Sequence, residues 1–177
     1  MNNSSKENSQ SRGNVRSLQD TMRNYKDTLF RMIFNGTEEL LQLYNAVNGT
    51  NYEDADELQI VTLDNAIYMN MKNDIAFIVD CRINLYEQQA SVNPNMPLRD
   101  LFYIAKEYQG MVSQKTLYSQ RKIKLPAPYF VVFYNGTASQ PERKIMRLSD
   151  SFLTRIEEPA LELKVVQLNI GEGQTGN

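Results

Sequence analysis

No histidine occurs in the 177 residues, and cysteine occurs once, as Cys81. Without an imidazole, the Ser-His and Cys-His arrangements of nucleophilic hydrolases are excluded. A single thiol cannot close an intramolecular disulfide or build a cysteine-cluster metal site. The chain also lacks any apolar run of membrane-spanning length and any signal-peptide apolar core, so a cytoplasmic protein with no membrane partner is expected. A Gly-rich phosphate loop is missing, which argues against an NTPase. Excess positive charge is missing too, because 19 basic residues face 21 acidic ones for a net charge of −2. A protein held to DNA by its overall field would be basic. Any contact with DNA must therefore use a local patch, or a bound cation must screen the acids.

What is present is an ordinary globular mix, 41% hydrophobic and 23% charged, at a length suited to one domain. Residues 1–16 are mostly Asn, Ser, Gln, Lys and Arg with almost nothing to bury, and they are expected to be a disordered polar tail. Residues 17–170 form the single domain, and the glycine-rich stretch 171–177 a flexible tail. Leu18, Met22, Tyr25, Leu29, Met32 and Ile33 recur at helical spacing and end at Asn35-Gly36. A second helix, capped by Thr37, buries Leu40, Leu41, Leu43, Tyr44 and Val47 and stops at Asn48-Gly49. Each Asn-Gly-Thr triplet reads as a turn, because both leading residues tolerate positive φ.

Four strand-like runs follow: Leu58–Leu63, Ile67–Met71, Asp74–Asp80 and Ile83–Gln89. In the third, Ile75, Phe77 and Val79 alternate with Asp74, Ala76, Ile78 and Asp80. Pro97 opens a helix to about Ser113 that is expected to bury Leu98, Leu101, Phe102, Ala105 and Val112. Arg99, Tyr103 and Lys106 fall on its more polar side. Tyr129–Tyr134 is a continuous apolar run, the mark of a central strand covered on both faces. A short helix near 149–155 and a strand over Leu161–Ile170 complete the order ααββββαβαβ, an α/β (α+β) class with a mixed sheet flanked by helices.

The residues that carry chemistry lie on the third and fourth of these runs. A hairpin with Cys81-Arg82 as its loop sets Asp74 opposite Gln89 and Ala76 opposite Glu87. Asp74, Glu87 and Gln89 then share one face, with the two acids as diagonal neighbours. A slip of one residue would separate them. Two carboxylates within reach of one ion suit Mg²⁺, or another hard divalent cation such as Mn²⁺. The plainer alternative makes Asp74 and Asp80 solvated strand ends and pairs Glu87 with Arg82 or Arg99 on the surface.

The pattern D-(x)12-E-x-Q after two opening helices resembles the PD-(D/E)XK nuclease superfamily, and more closely the Rpn family of recombination-promoting nucleases and transposase-like proteins. The resemblance is carried by Tyr25–Arg31, Asn70–Asp74, Leu85–Gln89, Asn93–Arg99 and Phe130–Gly136. It implies a restriction-endonuclease-like fold and Mg²⁺-dependent endonuclease cleavage of DNA, a hydrolase linked to DNA recombination. By that resemblance Asp74 and Glu87 are the metal-binding acids, and Gln89 stands where the wider superfamily has lysine. Gln88 stands where relatives tend to carry histidine. Relatives also continue with a further helical region after Leu168-Asn169-Ile170. Lysine would bring a cation to the attacking water. Glutamine orients by hydrogen bonding alone.

Asp27 matches the family's opening D-x-x-F pattern as an accessory residue, or forms an i,i+4 ion-pair series with Arg23 and Arg31. Arg99, Tyr103 and Lys106 are candidate DNA-phosphate contacts, or a solvated helix face. Arg121, Lys122 and Lys124 form a basic cluster that could hold DNA by counterion release, or a charged loop. The rival to the nuclease is a shortened, non-catalytic nuclease-fold protein that regulates by binding protein, as a homodimer or paired with a longer relative.

Overall fold

A computed structural model of the chain describes residues 36–60, 74–79 and 81–171. The expectations for the polar tail, the helix ending at Ile33, Asp27, the strand at 67–71, Asp80 and the last six residues lie outside these. The described elements are α1 (Thr37–Asn48), a 3₁₀ turn (Ala55–Glu57), β1 (Gln59–Ile60), β2 (Asp74–Val79) and β3 (Arg82–Gln89). They continue with α2 (Met96–Met111), α3 (Gln114–Leu117), β4 (Ala127–Tyr134), β5 (Arg143–Arg147), a 3₁₀ turn (Leu148–Ser151) and β6 (Lys164–Asn169).

The six strands form one mixed sheet in the order β1-β2-β3-β4-β6-β5. β3, β4 and β6 are parallel, and the outer pairings are antiparallel. Helices and sheet combine as the α+β class requires. The strand order along the chain departs from the expected one. β5 and α3 were not foreseen, and the helix expected near 149–155 is a single 3₁₀ turn.

Alternation along each inner strand builds two cores. Ala76, Ile83, Leu85, Phe130, Val132 and Val165 pack on one face against Met96, Tyr103 and Ile104 of α2. Phe77, Val79, Tyr86, Val131 and Phe133 pack on the other against Leu40, Leu41 and Tyr44 of α1. On that second face the rings form an edge-to-face ladder, with centroids 6.2 Å apart for Tyr44–Phe77, 5.0 Å for Phe77–Tyr86 and 5.6 Å for Tyr86–Phe133. Edge-to-face contact aligns the positive ring edge with the negative face. β4 is the central strand foreseen from its unbroken apolar run, and Phe130 to Tyr134 are all buried.

Local chemistry sets the helix ends. α1 starts after Gly36 with no side-chain cap among the described residues, so Thr37 is its first residue and not its cap. Gly49 ends it with φ 66, a left-handed conformation that glycine adopts without a Cβ penalty. α2 has proline in its first turn, as expected. The face of α2 is rotated from the expected one. Met96, Asp100, Tyr103 and Ile104 meet the sheet, whereas Leu98 is 38% and Phe102 57% exposed, and Ala105 is exposed too. The deeply buried Met96 fixes that rotation, because residues three and four apart share a face.

Candidate metal-binding hairpin

β2 and β3 pair with Val79 opposite Arg82, which leaves only residues 80 and 81 between the paired ends. Cys81 has φ 60. A positive φ is what a two-residue hairpin loop of right-handed twist demands. The loop therefore lies one residue earlier than Cys81-Arg82, and the register moves by two. Asp74 is opposite Glu87 itself, not Gln89, and Ala76 is opposite Leu85, not Glu87. A shift of two keeps the parity of the ladder. Position 74 thus stays on the face of Glu87 and Gln89, now as the direct cross-strand neighbour of Glu87, where Cβ atoms lie about 4.5–5.5 Å apart.

Glu87 is buried, 6% exposed, on the face that α2 covers. Among the described residues Gln89 and Arg99 both donate to its Oε1. Gln89 Nε2 donates at 2.7 Å and Arg99 Nη1 at 3.1 Å. The Arg99 contact is an ion pair whose side chains are 28% and 8% exposed for Arg99 and Glu87. Met96 Sδ supports both donors, 2.8 Å from Gln89 Nε2 and 3.2 Å from Arg99 Nη1. Of the two arginines named as partners for Glu87, Arg99 is the one that reaches it. It does so beneath the helix and not on an open surface.

This network fixes how the Gln89 amide is turned. A carboxylate only accepts, so the NH₂ must point at Glu87 and the amide oxygen is left as an acceptor. Two carboxylates and an amide oxygen make a hard-oxygen donor set that suits Mg²⁺. Among the described residues no group of three acidic, histidine or cysteine side chains converges as a metal site.

The remaining candidates divide. Tyr103 is 6% exposed and packs in the core, so it is not a surface contact for phosphate. The rotation of α2 puts it inward. Arg99 is turned to Glu87, and Lys106 is exposed. Arg121, Lys122 and Lys124 border a hollow of about 340 Å³ together with Thr116 and Ile123. Asp100, 2% exposed on α2, was missed. Its spacing of four from Met96 and three from Tyr103 would have marked it once the α2 face was known.

On the opposite face, Asn84 and Gln88 are buried at 0% and 4% exposure. Neither amide atom of Gln88 has a hydrogen-bond partner among the described residues. Burial pushes the Tyr86 hydroxyl well above its usual range, with the Asn48 amide at 3.4 Å opposing the rise. That hydroxyl remains protonated and structural. Among the described residues no helix is long and apolar enough to cross a membrane.

Comparison with known proteins gives no match to any family model, curated protein or solved structure.

Proposed function

We propose that the chain is a magnesium-dependent DNA endonuclease of the PD-(D/E)XK type, similar to the Rpn recombination-promoting nucleases. The observation that carries this reading is the register of the hairpin, which sets Asp74 directly across from Glu87 with Gln89 bonded to Glu87. Asp74 and Glu87 would hold the ion. When bound, a divalent cation polarises the phosphoryl oxygen and lowers the pKa of its water. Gln89, with its NH₂ committed to Glu87, presents an oxygen that can accept a hydrogen bond from the attacking water and so orient it. The Arg99 guanidinium supplies, from the neighbouring helix, the positive charge that lysine brings elsewhere in the superfamily. It can bind a phosphate oxygen in two-pronged fashion once it leaves Glu87. Cleavage of supercoiled plasmid in magnesium buffer tests the reading. Asp74→Ala should abolish it, and cleavage undiminished in that variant refutes it.

One observation favours a second reading, a nuclease-fold protein that regulates by binding another protein. Arg99 already neutralises Glu87, and an acid held by a guanidinium is a poorer ligand for an ion. Magnesium calorimetry separates the two. A nuclease gives binding heat that Glu87→Ala removes, and a purely protein-binding module gives none.

A further inference from the structure

Between Glu107 and Glu142 the chain holds no acidic residue, while Lys115, Arg121, Lys122 and Lys124 all fall there. In a protein of net charge −2, this is a local concentration of positive charge. Arg121, Lys122 and Lys124 line the 340 Å³ hollow with Thr116. Beside it, at the end of α3, Tyr118 is 85% exposed. A tyrosine so bare is not part of any core, and its ring face is open to a planar ligand.

The platform that carries Tyr118 is braced. Ser113 Oγ accepts from Thr116 N at 3.1 Å and lies 2.7 Å from Thr116 Oγ1. Ser119 Oγ donates to the Thr116 carbonyl at 2.8 Å. Tyr108 Oη donates to the Pro126 carbonyl at 2.7 Å and ties the far end of the loop to α2. An open aromatic ring on a fixed turn, next to a cationic hollow, is the pairing that binds unpaired nucleic acid. The bases stack on the ring, and the phosphates meet the cations.

We propose that the α3 turn and the loop after it bind single-stranded DNA, with an unpaired base on Tyr118 and its flanking phosphates on Arg121, Lys122 and Lys124. The inference rests on the nuclease reading and names its substrate class, DNA with an unpaired flank beside the cut. The sheet supplies the scale. Ala127, just beyond the loop, pairs with Arg82, five residues before Glu87 on β3. At roughly 3.3 Å per residue the end of the loop, at Ala127, lies about 16 Å along the sheet from the level of Glu87. That distance is roughly five stacked nucleotides at about 3.4 Å each.

The test is fluorescence anisotropy of a labelled 15-nucleotide oligothymidylate, and of a duplex of the same length, in EDTA so that no cleavage intervenes. Tyr118→Ala should weaken single-strand binding by at least about fivefold and leave duplex binding nearly unchanged, with Tyr118→Phe close to wild type. The double variant Lys122→Gln, Lys124→Gln should flatten the salt dependence by about 1.4, roughly 0.7 for each phosphate no longer neutralised. Equal single-strand affinity for Tyr118→Ala and wild type overturns the proposal, as does an equal loss on duplex. These outcomes are independent of plasmid cleavage. Tyr118-dependent binding without cleavage would sink the nuclease reading alone, and Asp74-dependent cleavage without it would sink this inference alone.

Discussion

Replacing Arg99 by methionine isolates the ion pair at the centre of the hairpin site. Methionine keeps most of the apolar stem that packs on the helix, so the change removes the charge and its hydrogen bond more than the packing. The Glu87 side chain is 8% exposed and loses the Arg99 donor at Oε1, while the Gln89 bond at 2.7 Å is untouched. An exposed ion pair is worth about 0–1 kcal/mol, and breaking a fully buried one costs about 3–5 kcal/mol. Arg99 keeps 28% of its side chain exposed, so the cost lies between these limits, at about 2 kcal/mol. For a chain of this size that is a fall in Tm of about 4–8 °C. Glu87→Gln should cost less, about 1 kcal/mol, because it removes the buried charge and leaves a guanidinium that can reach water. The double variant should resemble Glu87→Gln more than the sum of the two. Thermal unfolding followed by circular dichroism in low-salt buffer measures all three. Adding magnesium should raise Tm further in Arg99→Met than in the wild type, since the ion no longer competes with a guanidinium. If Arg99→Met melts within about 1 °C of wild type, or if Glu87→Gln proves the more damaging change, the energetic account of this pair is wrong.

Three further outcomes are expected. Phe77 is fully buried and meets both Tyr44 and Tyr86 edge-on, so Phe77→Ala should cost about 3–5 kcal/mol in urea unfolding. A loss below about 1 kcal/mol would contradict the ladder's role in that core. At Cys81, with φ 60, valine should destabilise by about 1–2 kcal/mol relative to asparagine, which tolerates the left-handed region; equal midpoints would show that the turn relaxes freely. Slight burial acts to raise the Glu162 carboxyl, but hydrogen bonds from Ser149 Oγ, Ser149 N and Leu163 N, with Arg147 alongside, outweigh it and hold the group below its usual value. A folded-state value below the unfolded one contributes stability above the unfolded pKa and loses it as pH falls through the folded one. Glu162→Gln should therefore lower Tm at pH 7 and converge with wild type in acid below the carboxylate range. A constant difference across that range would count against the assignment.

The hairpin was legible in the sequence because strand alternation survives an error of two. Assigning the loop to Cys81-Arg82 misplaced each pairing, yet parity kept positions 74, 87 and 89 on one face. What misled was the turn itself, since a cysteine at positive φ leaves no compositional trace. The central strand was plain from Tyr129 to Tyr134, where an unbroken apolar run can only be covered twice. The buried face of α2 was harder. Leu98 and Phe102 look like core residues, but Met96 and Tyr103 take the sheet, and large side chains are left at the surface. Which apolar residues win a shared face depends on the partner's shape, and helical periodicity does not record that. β5 escaped because three of its five residues, Arg143, Lys144 and Arg147, are basic, which hides an edge strand inside a charged stretch.

That same basic stretch has a consequence for association between molecules. β5 closes the sheet on one side, and among the described residues its outer backbone groups have no neighbouring strand within the six-stranded order. A second copy approaching that margin in matching orientation would bring its own Arg143, Lys144 and Arg147 against these three and be repelled, so the rim is guarded against runaway polymerisation by its own charge.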